Sequence, residues 1–208
     1  NGEVKEINDF ITYNLNIRQF AQDTVQQYEG SDFINAFYKA ITKITVLDPT
    51  CGSGAFLFAA LNILEPLYYG CIERMKGFIE EDDNQGAKKF QHFRKVIDEI
   101  AKHPNQQYYI YKSIILNNLY GVDIMNEAVE IAKLRLFLKL VAEVEDFEHL
   151  EPLPDIDFNI RCGNTLIGFA TKSELDIGLK YSFDYNNDSL KIYDEIDVVA
   201  KAFKRYKE

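Results

Sequence analysis

Residues 46–57 read VLDPTCGSGAFL: an apolar pair, an aspartate, a proline and two closely spaced glycines, followed at once by a second apolar run. The residues leading in, Ile44 to Asp48, are β-branched or apolar, few in number and closed by Pro49, the pattern of a short buried strand. The residues leading out, Ala55 to Met75, have helical periodicity, with a bend expected at Pro66 because proline lacks a donor for the preceding turn. Gly52 and Gly54 carry no Cβ, so the backbone between strand and helix can take unusual dihedrals and approach a ligand closely. The helix after them directs its free amides and the positive end of its dipole at whatever sits over the turn. Such a place suits a carboxylate or a phosphate.

On the amino-terminal side, Ile7 to Tyr28 reads as a loop entering a helix, and Asp32 to Ile41 as a short helix capped by Gly30 and Ser31. On the carboxyl side, EEDDNQGAKK (Glu80 to Lys89) is polar and contains a glycine, so it is expected to be a mobile, solvated loop. Helices are expected over Phe90 to Ala101 and Tyr108 to Leu116, with Pro104 between them. NLYGVDI (Asn118 to Ile124) is a second strand. Asn126 is placed to cap a helix over Glu127 to Val144, apolar around most of its circumference and so expected to be well buried. EPLPDIDF (Glu151 to Phe158) connects to a third strand at Asn159 to Cys162. Beyond it lie a hairpin-like run at Tyr181 to Tyr193 and a helical tail, Glu195 to Lys207. Alternating strands and helices argue for an α/β fold with a parallel sheet, and ligands of such sheets bind outside the carboxyl ends of the strands. All three strands end in polar or glycine-containing groups: Asp48 with Gly52 and Gly54, then Asp123, then Gly163 with Asn164.

At 208 residues and 47% hydrophobic content the chain can build a sizeable core, and one compact domain is expected. A net charge of -10 disfavours a broad surface for nucleic acid. No apolar run approaches the roughly 20 residues of a membrane span, and no signal-type segment opens the chain, so no membrane contact and a cytoplasmic location are expected. Cys51, Cys71 and Cys162 have neither the number nor the spacing of a disulfide framework, and His92, His103 and His149 stand apart, so no metal is expected. Cys51 and Cys162 read as packing residues, as do Tyr108, Tyr109 and Tyr111.

Asp48 is placed to accept bonds from an ammonium group and from amides of the turn. Asp123, at the end of the next strand, is the usual device for holding two ribose hydroxyls. Together they describe a nucleoside-containing cofactor. A dinucleotide fingerprint would put a third glycine where this chain has Leu57, which argues against NAD. A zwitterionic amino acid fits the aspartate and the turn better.

DPTCGSGAFL, LYGVDIMNEAVEIAKLRLFL and IRCGNTLIG, in this order, resemble the first three motifs of amino-group DNA methyltransferases. The likeness runs from about Ile7 to Gly168, and the motifs resemble those of the large adenine methylases of type IIG restriction-modification and BREX-like phage-defence systems. The resemblance implies a Rossmann-like methyltransferase fold with N-terminal and inserted helices, and S-adenosylmethionine as cofactor. Asp48, Pro49, Cys51, Gly52 and Gly54 would line its methionine end, with Phe56 packed beneath. Asp123 would hold the ribose, Ile124 would lie beside the adenine, and Asn164 would bond the adenine edge where many relatives have aspartate. Thr12, Tyr13 and Asn14 occupy the place of a motif that closes over the methionine. The simpler readings are that Asp123 only meets free amides of the following helix, that Asn164 is a turn residue and that Thr12 to Asn14 form a helix entry.

Adenine methylases also carry an Asn-Pro-Pro-Tyr or Asp-Pro-Pro-Tyr motif that grips the flipped base. This chain has no Pro-Pro pair. It is therefore expected to be a cofactor-binding portion without catalytic residues, inactive alone, with DNA contacted through C-terminal regions of a longer protein. The expected layout is a helical segment at 1–43, the α/β core at 44–168 with a helical insertion near 76–117, and a polar extension at 169–208. Without a further strand the first one would expose an apolar edge, so Lys191 to Val199 or a second copy is expected to cover it. The alternatives are a fragment of an RNA or protein-glutamine methyltransferase, or a non-catalytic interaction module on the same fold.

Overall fold

The computed structural model describes residues 5–12, 14–84, 89–144, 156–167, 171–181, 194–195, 197–199 and 201–202. Its elements run α1 (Ile7–Thr12), α2 (Ile17–Gln27), α3 (Ser31–Ile41), β1 (Val46–Asp48), α4 (Ala55–Asn84), α5 (Gln91–Ile100), α6 (Gln106–Asn117), β2 (Leu119–Asp123), α7 (Asn126–Val141), β3 (Ile160–Cys162) and α8 (Lys172–Tyr181). The chain divides into two compact units, Asn1–Thr165 and Leu166–Glu208, and α8 belongs to the second. The three strands form one parallel sheet in the order β1-β2-β3, with Val46 opposite Leu119 and Gly121 opposite Ile160. An α/β fold with its strands where the apolar runs placed them is what the sequence led one to expect.

The core is organised by α4. Leu57, Leu61, Leu64, Tyr68, Cys71, Ile72 and Met75 recur at helical spacing and are buried against α2, α3, α6 and the sheet. The helix continues through Pro66 and beyond Met75, where the sequence had it ending, and takes in Glu80 to Asn84. The acidic run is thus the last turn of α4 rather than a loop. Asp82 is buried because the backbone amide of Lys89 and the Arg94 guanidinium donate to it at 2.8 and 3.2 Å, and Arg94 also holds Asp83 at 2.6 Å. Residues 85–88 lie outside the described residues. By length and composition α4 could cross a membrane, contrary to the reading of apolar runs, but its packing here is that of a core helix.

Three other expectations change. The cap of α7 is Met125, and Asn126 is the first helical residue. The helix buries Val129, Ala132, Leu136 and Leu140 on one face, while Ile131, Leu134 and Leu138 on another are about half exposed; an apolar circumference did not mean burial all round. Cys162 is exposed rather than packed, whereas Cys51 and Cys71 are buried, and burial pushes the Cys71 thiol up to about 12. Tyr108 and Tyr111 do pack in the core. β1 pairs with β2, and no second neighbour is found among the described residues; Leu47 is 62% exposed. In the segment expected to cover that edge, residues 194–195 and 197–199 are helical, in keeping with the helical tail expected from Glu195, and the remainder lies outside the described residues. Of the hairpin-like run, Tyr181 closes α8 and the rest is likewise outside.

Two buried asparagines fix the amino ends of the strands. Asn118 donates from Nδ2 to the carbonyls of Ile41 and Ile44, at 2.7 and 2.6 Å, and accepts from the Tyr68 hydroxyl at 2.9 Å. Asn159 donates to the carbonyls of Ile115, Leu116 and Leu119. An unpaired buried polar group costs about 1–3 kcal/mol. Asn118→Ala leaves two carbonyls and a hydroxyl without their partner, and should lower the unfolding free energy by about 3 kcal/mol in urea titration.

Candidate functional site

At the carboxyl edge of the sheet the chain leaves β1, makes the turn Asp48 to Gly54 and enters α4. Gly52 has φ 49° and Gly54 φ 84°, the left-handed region that disfavours side chains. The turn is bonded chiefly to the neighbouring strand. Cys51 N–H donates to the Val122 carbonyl at 2.9 Å, and Gly52 N–H donates to Oδ2 of Asp123 at 2.8 Å. Inside the turn, Gly54 N–H donates to the Cys51 carbonyl at 2.8 Å, and Thr50 N–H donates to Oδ1 of Asp48 at 3.1 Å.

Gly121 makes this contact possible. A Cβ there would meet Cys51 Sγ and Leu57 Cδ1 at 3.0 Å, tighter than ordinary contact, so glycine lets the turn and α4 lie this close to β2 without displacing either side chain. Gly54 similarly faces Ala132 of α7, where a Cβ would sit 3.3 Å from the Ala132 methyl. The space a side chain would enter at Gly52 is open, with nothing within 4 Å.

Asp123 serves the turn and the next helix together. Its Oδ1 accepts from Met125 N–H at 2.9 Å, so the helix-entry reading of this residue is part of its role. The amides of Met125 and Gly52 hold its carboxyl below the usual range, and it is ionised at neutral pH. Two carboxylate oxygens offer about four lone-pair sites, so both oxygens can accept further bonds from hydroxyl groups. Asp48 is different. Its Oδ2 is buried and has no donor. An ammonium group brought to that side of the turn would supply one. Burial, and then the charges of Asp48 and Asp123, push the Cys51 thiol up, so it stays protonated and is a packing group rather than a nucleophile.

The third strand joins the same place. Gly163 N–H donates to the Asp123 carbonyl at 2.9 Å, and the Thr165 hydroxyl donates to the Pro49 carbonyl at 3.1 Å, which carries Asn164 to the edge of the turn. Asn164 is exposed. Phe56 and Ile124, 78% and 69% exposed, stand on the first turn of α4 and just past β2. Thus Asp48, Pro49, Cys51, Gly52, Gly54, Phe56, Asp123, Ile124 and Asn164 belong to one edge of the sheet. Thr12 closes α1, Asn14 follows it with φ 52°, the conformation in which asparagine ends helices, and Tyr13 lies outside the described residues. The described hydrogen bonds of this segment run within it, from Asn14 N–H to Ile11 and from Leu15 N–H to Phe10.

Residues 21–167 match the family described as MmeI, DNA-methyltransferase domain. The chain belongs to this family. The matched span holds the turn, all three strands and α7. A putative type II restriction enzyme and methyltransferase of Methanocaldococcus jannaschii is 35% identical, over 75% of this chain and 11% of its own length. The chain therefore spans about a ninth of the curated relative it matches. No solved structure matches it. The resemblance read from the three motifs is borne out at the level of a restriction-modification type DNA methyltransferase domain.

Three residues of this edge were not singled out from the sequence: Gly121, Arg135 and Thr165. Gly121 had a legible signal, since glycine inside a strand marks a close backbone approach. Arg135, on α7, donates from one guanidinium nitrogen to the Ser53 carbonyl at 2.7 Å and to the Ser53 hydroxyl at 3.2 Å. No local pattern announces that contact, which spans the whole insertion between turn and helix.

Ala in place of Gly54 must meet both a left-handed backbone and the Ala132 methyl, whereas Gly52→Ala meets the backbone cost alone, about 1–2 kcal/mol. Gly54→Ala should therefore be the more destabilising of the two in thermal unfolding, and equal effects would contradict the close approach of α7. Because the folded carboxyl of Asp123 is depressed, its contribution is complete above the ordinary aspartate value of about 3.9 and is lost as pH falls through the folded value. Exchange protection of the Gly52 and Met125 amides should fall over that acid range, and Asp123→Asn should flatten the change.

Proposed function

We propose that this domain binds S-adenosylmethionine at the glycine turn, as the cofactor-binding portion of a DNA adenine methyltransferase in a restriction-modification or phage-defence system. The observation that carries the reading is the convergence of three strand ends on one turn. There a buried Asp48 oxygen lacks a donor, the face of Gly52 is open, and Asp123 keeps lone pairs to spare. These groups fit the ammonium, the amino-acid backbone and the ribose hydroxyls of that cofactor. Phe56 and Ile124 offer exposed apolar surface for its adenine and thioether parts. When bound, the cofactor supplies an activated methyl group. The residues of this chain orient it: Asp48 and the turn hold the amino-acid end, Asp123 holds the ribose, and Asn164 reads the adenine edge.

The three-stranded parallel sheet is read as part of a Rossmann-like methyltransferase sheet. The acceptor, the exocyclic amino group of adenine, rests on the wording and order of the three motifs, DPTCGSGAFL, LYGVDI and IRCGNTLIG, rather than on geometry. Since these residues contain no Pro-Pro pair, methyl transfer and DNA contact are assigned to the longer protein, working in the cytoplasm where its DNA substrate lies.

Calorimetric titration with S-adenosylmethionine and S-adenosylhomocysteine should show binding by the wild-type chain and at least about tenfold weaker binding by Asp123→Ala, the scale of losing charge-assisted hydrogen bonds. No binding of either nucleoside by the folded chain would refute the cofactor reading. Methyl incorporation at cytosine rather than adenine by the longer protein would refute the acceptor.

A further inference from the structure

Ser53 sits between two glycines that both have positive φ, and glycine tolerates either hand of backbone. Nothing intrinsic to the Gly-Ser-Gly sequence chooses the orientation of the peptide plane joining Ser53 to Gly54. The structure holds that plane at both ends. Its N–H, on Gly54, donates to the Cys51 carbonyl at 2.8 Å, and its carbonyl, on Ser53, accepts from Arg135 at 2.7 Å. The guanidinium is itself held: it lies over the ring of Phe58 at 4.6 Å and donates a second bond to the Ser53 hydroxyl. Ala132, one turn earlier on α7, is the residue that packs against Gly54, so arginine and turn are fixed to each other by backbone as well as side chain.

We propose that Arg135 is a positioning residue for the amino-acid end of the bound cofactor. By drawing the Ser53 carbonyl toward α7, it keeps an acceptor lone pair away from the face of the turn where a carboxylate would bind. That face is left to the amides that open α4 at Ala55, which have no acceptor within the helix. The role suits arginine better than lysine, because the donating nitrogen belongs to a planar guanidinium that also lies over the Phe58 ring. This inference rests on the cofactor reading above.

The test compares two nucleosides that share adenosine and a thioether but differ in the amino-acid part: S-adenosylhomocysteine, which has it, and 5′-methylthioadenosine, which lacks it. Arg135→Gln should weaken S-adenosylhomocysteine roughly tenfold, the scale of one charge-assisted bond, and leave methylthioadenosine within about twofold. Arg135→Lys should fall between wild type and Arg135→Gln. Retained methylthioadenosine binding shows that the variant is folded. Unchanged S-adenosylhomocysteine binding, or equal loss of both ligands in both variants, overturns the inference, the second outcome assigning Arg135 to folding alone. If the wild-type chain binds neither nucleoside, the cofactor reading falls and takes this inference with it; if wild type binds and only the inference fails, the reading stands.

Discussion

The bond from the Gly52 amide to the Asp123 carboxylate joins the first strand's turn to the second strand's end, and the shape of the whole carboxyl edge follows from it. With Cys51 N–H on the Val122 carbonyl, it places the turn over β2 instead of letting it continue outward from β1. Gly121 removes the one side chain that would stand in the way. The same carboxylate then accepts from Met125, so a single side chain sets both the glycine turn and the entry to α7. Two aspartates face one small volume, an arrangement that would be repulsive were the charges not met by amides. Asp123 is met twice and Asp48 once, which leaves Oδ2 of Asp48 buried without a donor.

The opposite edge of the sheet is built on another principle. Asn118 and Asn159 each stand immediately before a strand and are buried, and each gives its amide protons to backbone carbonyls of neighbouring segments. The carbonyls of Ile115 and Leu116 lie at the end of α6, and the side chain of Asn159 donates to both from the start of β3. The amino ends of the strands are thereby locked by neutral hydrogen bonds in the core. The carboxyl ends are shaped by loops, glycines and charge, where a ligand can compete for the same groups.

What the sequence made legible was local and periodic. The three strands, the helix after the glycines and the polar strand ends depend on short patterns, and all appear at the places those patterns indicated. Long-range partners were not legible. Glu80 to Asp83 looks like solvated loop until Arg94, on the next helix, closes on Asp82 and Asp83. The apolar circumference of α7 gave no sign of which face would meet the sheet, because Ile131, Leu134 and Leu138 satisfy the same spacing rule as the residues that are buried. Cys162 looked like a packing residue, but β3 buries only Ile160. At the site, Asp123 was found for its strand-end position, yet its bond to Gly52 could not be read, since it joins residues on different strands. Arg135 is the same case in stronger form: a charge within an apolar helix whose partner lies on the turn at the far end of the insertion.

β1 and β2 are neighbours in space, but α4, α5 and α6 lie between them in sequence. A pairing closed over so long a connection carries a large loop entropy and forms late. The packing of α2 and α3 on α4 joins elements that follow one another closely, apart from the short β1, and needs no such closure. The helices are therefore expected to gather first, with β1 held beside them as an unpaired segment until β2 arrives. During synthesis that interval is set by the time the ribosome takes to deliver the insertion. The glycine turn, whose bonds are made to β2, acquires its shape only at the end of it.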